Sequence, residues 1–306
     1  MTVERDAKLA AAIGELHGLY APSITPIVGA GSANHVFVVR SGEETLVVRF
    51  AIDDARQDSV DVEAWALTQA ARHGIPSPTV VATGSLSGVP YLVQTFVEGV
   101  SGTERRTPQL WRTLGEYASR LHEIPVTEDA PDALFSRFGR DLPQAWRAHV
   151  QYNLNQLVKT DPLIALGVYD IGQQSSLRAR ISNLEATDFT FGLNHGDLAI
   201  SNLLVPEHGA PVLIDWGSAR TGPSPFLDFL GLLTAHRLQG DPSDQEFLAF
   251  ADGYGVSLDR ILETLENLMT LDALDLVRWA IDQRPDLIAQ IAESAREHVA
   301  RYAPPN

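Results

Sequence analysis

Asp197, Asn202 five residues later, and Asp215, eighteen residues after Asp197, stand in the segments His195-Gly196-Asp197-Leu198-Ala199-Ile200-Ser201-Asn202 and Leu213-Ile214-Asp215-Trp216-Gly217. Two carboxylates and one amide at this spacing suit phosphoryl transfer. One carboxylate orients an attacking hydroxyl, while the amide and the second carboxylate hold Mg²⁺ against the phosphates.

The rest of the chain excludes several other chemistries. There are no cysteines, so disulfides and thiolate metal sites are ruled out. The only lysines are Lys8 and Lys159, and neither follows a glycine, so no P-loop is present. Gly84-Ser85-Leu86-Ser87-Gly88 has leucine where a nucleophile elbow needs serine, and no His-Glu-x-x-His occurs. A formal charge of −16 argues against non-specific nucleic-acid binding and mildly favours a cationic substrate. No apolar run is long enough to span a bilayer, and Met1-Thr2-Val3-Glu4-Arg5-Asp6 lacks signal-peptide blocks, so a cytoplasmic location is expected.

The elements that must position these residues follow from the periodicity. Leu9, Ile13 and Leu16 sit at loose helical spacing over residues 7–20. His35–Arg40 and Thr45–Phe50 are β-branched and aromatic-rich, joined at Ser41-Gly42-Glu43-Glu44 as a hairpin. Residues 59–73 predict a helix with Val62, Trp65, Ala66 and Ala70 inward. Thr79–Thr83 and Tyr91–Val97 predict two more strands around a Gly/Ser turn. Beyond Gly99 the chain turns mostly helical, beginning at Thr107-Pro108 with a hydroxyl cap and proline at the first position. Helices are predicted over residues 139–184, with interruptions at Asp161-Pro162 and Gly167, and over 225–239, 243–253 and 257–300; short strands are predicted at Leu203–Val205 and Val212–Ile214. These elements predict a sheet-rich part to residue 98 and a helical part over 99–306, with the site between them.

With the motif and these elements together, the chain resembles the aminoglycoside phosphotransferase family, small-molecule kinases of the protein-kinase-like fold, over roughly residues 25–235. The resemblance implies an α+β, two-lobed fold with a small antiparallel-sheet N-lobe and a mostly helical C-lobe. It implies Asp197 as the catalytic aspartate, Asn202 and Asp215 as Mg²⁺ ligands, and ATP or GTP as donor. Arg49 takes the basic position on the third strand, where protein kinases carry lysine, and Glu63 takes the acidic position on the following helix. Gly31 and Ser32, in Gly29-Ala30-Gly31-Ser32-Ala33-Asn34, are expected at the phosphates. Gln94, Thr95 and Val97 are expected at the nucleotide base, read through the Thr95 carbonyl and the Val97 amide. His195 and Asp228 are expected to support the catalytic loop.

Only twelve residues separate Asp215 from Asp228, no Ala-Pro-Glu follows, and Gly196 stands where an arginine would answer an activation-loop phosphate. The expected acceptor is therefore a small molecule rather than a protein. An aminoglycoside-type antibiotic leads; the resemblance implies that acids of the C-terminal helices receive its amino groups, here Asp272 and Asp275, which share a helix face. Macrolides, or a sugar or amino alcohol in metabolism, are the alternatives, so the role is either antibiotic resistance or metabolic. A catalytically dead binding protein is disfavoured because Asp197, Asn202 and Asp215 are all present. A monomer or homodimer, with no nucleic-acid or membrane partner, completes the expectation.

Overall fold

The computed structural model describes residues 3–27, 34–51, 58–224 and 226–303. Helix α1 (Val3–Leu16) precedes strands β1 (Ser23–Pro26), β2 (Asn34–Ser41) and β3 (Glu44–Ala51). Helix α2 (Asp58–Arg72) and strands β4 (Val80–Leu86) and β5 (Val89–Thr95) follow. The five strands form one antiparallel sheet in the order β1-β2-β3-β5-β4. Two-residue turns close both hairpins: Gly42, at φ 60°, begins the first, and Ser87-Gly88, at φ 54° and 79°, forms the second. Positive φ at these positions matches the twist of the flanking strands.

The period of two along a strand decides what each face of this sheet does. Val48 and Phe50 on β3 and Tyr91 and Val93 on β5 pack with Ala10 and Ile13 of α1 in a small apolar cluster. Val47 and Arg49 therefore face the other way, where Leu92, the register partner of Arg49, joins Val62, Ala66, Leu67 and Ala70 of α2 in the main core. That core continues through the helical part, so α2 belongs to both halves.

The chain leaves the sheet at Thr95 and, five residues on, enters a second sheet at β6 (Val100–Ser101), which pairs with β8 (Leu203–Val205) beside β9 (Val212–Leu213). Before β8 come α3 (Pro108–His122), α4 (Leu142–Gln156), α5 (Pro162–Ala165), α6 (Gln174–Ala186) and β7 (Thr190–Asn194). After β9 come β10 (Arg220–Ser224), α7 (Phe226–Gln239), α8 (Asp244–Tyr254), α9 (Leu258–Gln283) and α10 (Ile288–Tyr302). The Thr107 hydroxyl accepts from the Leu110 amide and Pro108 opens α3, as expected of that sequence. Sheet-rich N-terminal and helical C-terminal regions are thus both present.

Two local expectations need correction. The single helix expected over 257–300 is two, because Pro285 has no N–H to continue α9 and the chain restarts at Ile288. Residues 139–184 hold three helices, separated around Asp161-Pro162 and Gly167 as expected. Strands β7 and β10 were not expected, since Thr190-Phe191-Gly192-Leu193-Asn194 and Arg220-Thr221-Gly222-Pro223-Ser224 carry glycine and proline; pairing with each other makes them strands. Among the described residues no helix is long and apolar enough to cross a membrane.

Helices α3 and α8 pack backbone against backbone. A Cβ at Gly115 would collide with the Phe250 carbonyl, and one at Gly253 with the Arg112 carbonyl. Gly115→Ala is expected to lower stability by about 2 kcal/mol, because backbone atoms cannot rotate away as a side chain can. Urea unfolding of this variant beside Gly231→Ala, where a Cβ meets open space, checks it; equal losses would mean that α3 and α8 separate freely.

Candidate functional site

The sheet face that looks toward α2 brings Arg49 to the junction of the two parts. Arg49 is only 6% exposed. Its Nη1 lies 2.9 Å from Glu63 Oε1 on α2, and its Nη2 donates to Asp215 Oδ1 at 2.6 Å. Glu63, 1% exposed, also accepts from the Trp216 backbone N–H, and burial holds its carboxyl above the usual range against the pull of Arg49. Asp215 itself is left-handed, at φ 66° and ψ 58°, a conformation that aspartate tolerates better than most residues. Trp216 is fully buried, and its indole N–H donates to the Leu213 carbonyl.

Behind Asp197 the chain is braced by Asp228, in the first turn of α7. Its two carboxylate oxygens accept the backbone N–H groups of His195 and Gly196, each at 2.9 Å. His122 Nε2–H donates to the same carboxylate at 3.0 Å, and Tyr254 hydroxyl lies 3.0 Å from His122 Nδ1. Burial works to raise the Asp228 pKa, but the bonds from His122 and His195 outweigh it and hold the carboxyl below its usual value. Gly196 sits at φ 80°, and a Cβ there would strike the Ser218 carbonyl, so the position where an arginine is absent is one that only glycine fits. The fully buried His195 donates from Nε2 to the Ile214 carbonyl at 3.1 Å; burial lowers its pKa and keeps it neutral. It ties the Asp197 loop to the Asp215 loop.

Asp197 is left exposed at the surface of this brace, between β7 and the turn Ile200–Asn202. The Asn202 Nδ2–H donates to the Asp197 carbonyl at 2.7 Å and to its Oδ2 at 3.2 Å, and the Ile214 amide donates to the Asn202 carbonyl. Asn202 spends its amide nitrogen on Asp197, and Asp215 spends Oδ1 on Arg49. One oxygen of each remains, a donor type that fits Mg²⁺. Among the described residues no group of three or more His, Cys, Asp or Glu could hold a metal, so an ion at these two oxygens would need its remaining ligands from phosphates and water.

Gln94 shares a sheet face with Val47, its register partner, and with Arg49 two residues further; it is buried, and its Oε1 has no partner. Thr95 ends β5 with its amide on the Thr79 carbonyl and its hydroxyl accepting from the Thr79 amide. Val97 is half-buried beyond the strand end. Gly31 and Ser32 lie outside the described residues.

A cavity of about 280 Å³ opens beside Asp197, bounded by Trp111, Ile200, Arg220, Leu227, Gly231 and Asp241. The acids expected to receive the acceptor stand elsewhere. Asp272 lines a separate cavity of about 330 Å³ between α7, α9 and α10, with Arg237, Leu276 and Tyr302. Solvent reaches it, yet the surrounding protein raises its pKa; Asp275 adds to the rise, and Arg220 and His149 oppose it. Asp275 is committed to internal partners: its Oδ1 accepts from Asn153 at 3.1 Å and its Oδ2 lies 3.2 Å from His149 Nε2. Asp275 is not a solvated acid, because α4 supplies polar partners that helical spacing on α9 cannot reveal. Arg220, His149 and His122 were missed for the same reason, since no local pattern marks them.

The model of the phosphotransferase enzyme family matches residues 24–268. A probable ketoamine kinase of Staphylococcus aureus is 27% identical over 212 residues, covering 63% of this chain and 67% of that protein. An aminoglycoside 3'-phosphotransferase of Streptomyces ribosidificus is 32% identical over 168 residues, 53% of this chain and 60% of that one. The fold is shared with the GDP and kanamycin complex of APH(2")-IIia, at a TM-score of 0.67 and 19% identity, with 96% and 98% of the two chains covered.

Asp228→Asn keeps the shape but loses the charge that both backbone amides and His122 answer. The expected cost is about 2 to 3 kcal/mol near neutral pH. A lowered native pKa means that the wild-type advantage is complete above the ordinary aspartate value near 3.9 and is lost as pH falls through the native value. Denaturant melts of both proteins from about pH 7 to 3 measure it; a gap that widens toward acid would contradict the brace.

Proposed function

The chain belongs to the phosphotransferase enzyme family, and we propose that it moves the γ-phosphate of ATP or GTP to a hydroxyl of a small molecule, with residues to 98 forming the nucleotide lobe. The observation that carries this reading is the line Glu63–Arg49–Asp215, which reaches Asn202 and Asp197 through the Ile214 amide. Phosphoryl transfer asks a protein mainly for placement and fixed charge, and this line supplies both.

Arg49 is the buried cation that contacts donor phosphate, and Asn202 and Asp215 supply the oxygens for Mg²⁺. The bound ion would neutralise charge on the phosphates. Asp197, exposed and held by Asn202, accepts the hydrogen bond of the incoming hydroxyl and orients its oxygen at the phosphorus. His195 stays neutral and does not compete for that proton. Gln94, Thr95 and Val97 form the base end of the nucleotide site, and Gly31 and Ser32 its phosphate end.

The acceptor is an amine-bearing sugar. An aminoglycoside-type antibiotic would use Asp272 for an ammonium group, in keeping with the aminoglycoside phosphotransferase among the relatives. A second reading, a ketoamine in which a sugar is joined to an amine, draws on the ketoamine kinase relative and on Arg220, which opposes Asp272 and lines the cavity at Asp197. Partly cancelled acidity suits one amine, or an amine with a carboxylate, better than a polycation.

A coupled phosphotransfer assay with ATP or GTP, Mg²⁺ and a panel of kanamycin, a macrolide and fructosyl-lysine checks both levels. Asp197→Ala is expected to lower kcat by about 10³-fold or more with nucleotide affinity nearly unchanged. Activity within tenfold of wild type would remove Asp197 from the reaction. Transfer to kanamycin but not to fructosyl-lysine would decide for the aminoglycoside reading.

A further inference from the structure

We propose that Phe138, Tyr152 and His149, with the carboxylate of Asp275, form a subsite for an organic cation, and that Arg137 occupies it as a resident stand-in for the acceptor's ammonium group. The proposal rests on the reading of this side of the molecule as the acceptor side.

The guanidinium carbon of Arg137 lies 4.7 Å from the Tyr152 ring centroid and 5.0 Å from that of Phe138. Its Nη2 is 3.9 Å from Asp275 Oδ1. Phe138 stacks on His149, with centroids 5.1 Å apart and planes at 22°, and meets Tyr152 at 5.9 Å. Two ring faces and a carboxylate around one cation are what recognition of a guanidinium or alkylammonium requires, because the ring quadrupole and the charge attract the same guest.

The Asp275 carboxylate and the α4 residues are held differently from Arg137 and from Phe138, which follows it on the same connection. Asp275 accepts from Asn153, whose Oδ1 accepts from Arg278 at 2.6 Å; Arg278 also donates to Asp161 at 2.7 Å, and Tyr169 hydroxyl donates to the same carboxylate oxygen. Asn153, Asp161 and Arg278 are all buried. The carboxylate and the two α4 rings are thus mounted on a dry network. Arg137 comes instead from the connection between Leu134 and α4, and its side chain is 54% exposed. A fixed carboxylate and α4 ring beside an exposed cation exchange their guest at little cost.

Two links run from the cage toward the cleft. Thr221 hydroxyl donates to the Leu134 carbonyl at 2.9 Å, fastening β10 to the segment that leads to Arg137. Arg220, the first residue of β10, lines the cavity at Asp197. Asp272, on the same α9 face as Asp275, is acted on by both Arg220 and Asp275.

Calorimetric titration of the full chain with tetramethylammonium and with methylguanidinium tests the subsite. Arg137→Ala is expected to bind both about tenfold more tightly than wild type, and Tyr152→Leu on that background is expected to remove the gain. Arg137→Met, which retains the packing of the stem, gives the same gain if the shorter variant folds poorly. Equal affinity in wild type and in the folded Arg137 variant, or a gain that survives Tyr152→Leu, overturns the proposal. No turnover is needed, so this result and a failed phosphotransfer assay are read independently.

Discussion

A guanidinium sealed from water must find carboxylates or the fold cannot hold it, and Arg49 is the cation on which the rest of the structure turns. It finds one partner on α2 and another after β9, so a single side chain fixes the separation of three elements. Removing one partner of such a buried group typically costs about 3 to 5 kcal/mol, because the remaining charge is left without compensation. The planar fork matters: two nitrogens reach two carboxylates at once, which the point charge of a lysine does less well. Trp216 strengthens the arrangement by filling the core with its ring while its backbone N–H reaches Glu63.

The second tie is buried and lies behind Asp197. Asp228 receives two backbone amides and His122, and His195 spans to the Ile214 carbonyl. Fixed from below in this way, the loop can leave Asp197 in solvent without losing its position. Rigidity and exposure, which ordinarily oppose each other, are divided between adjacent residues of one segment.

Around α9 the carboxylates mostly face partners rather than accumulate. Asp275 is shared with α4, Asp272 feels the opposing charge of Arg220, and Asp241 pairs with Arg106, which also binds Glu246. A chain with net charge −16 therefore does not present a simple acidic trough here. Overall charge steers encounters, but recognition depends on which carboxylates keep a free oxygen.

The amino-acid sequence by itself determined the elements whose cause is local. The alternation in β2 and β3, the hydroxyl and proline at Thr107-Pro108, and the Asp197–Asn202–Asp215 spacing all act within a few residues or within one short loop system, so pattern alone reveals them. The family followed from that spacing together with Arg49 and Glu63. Tertiary structure decided what depends on partners far away in the chain. Strands β7 and β10 exist because they pair with each other, against their own composition. Asp275 looked like a free acid on α9 until α4 placed Asn153 and His149 against it, 122 and 126 positions away in the numbering. Hydrogen bonds and ion pairs are satisfied by whichever group folding brings near, and a linear pattern holds no record of that neighbour.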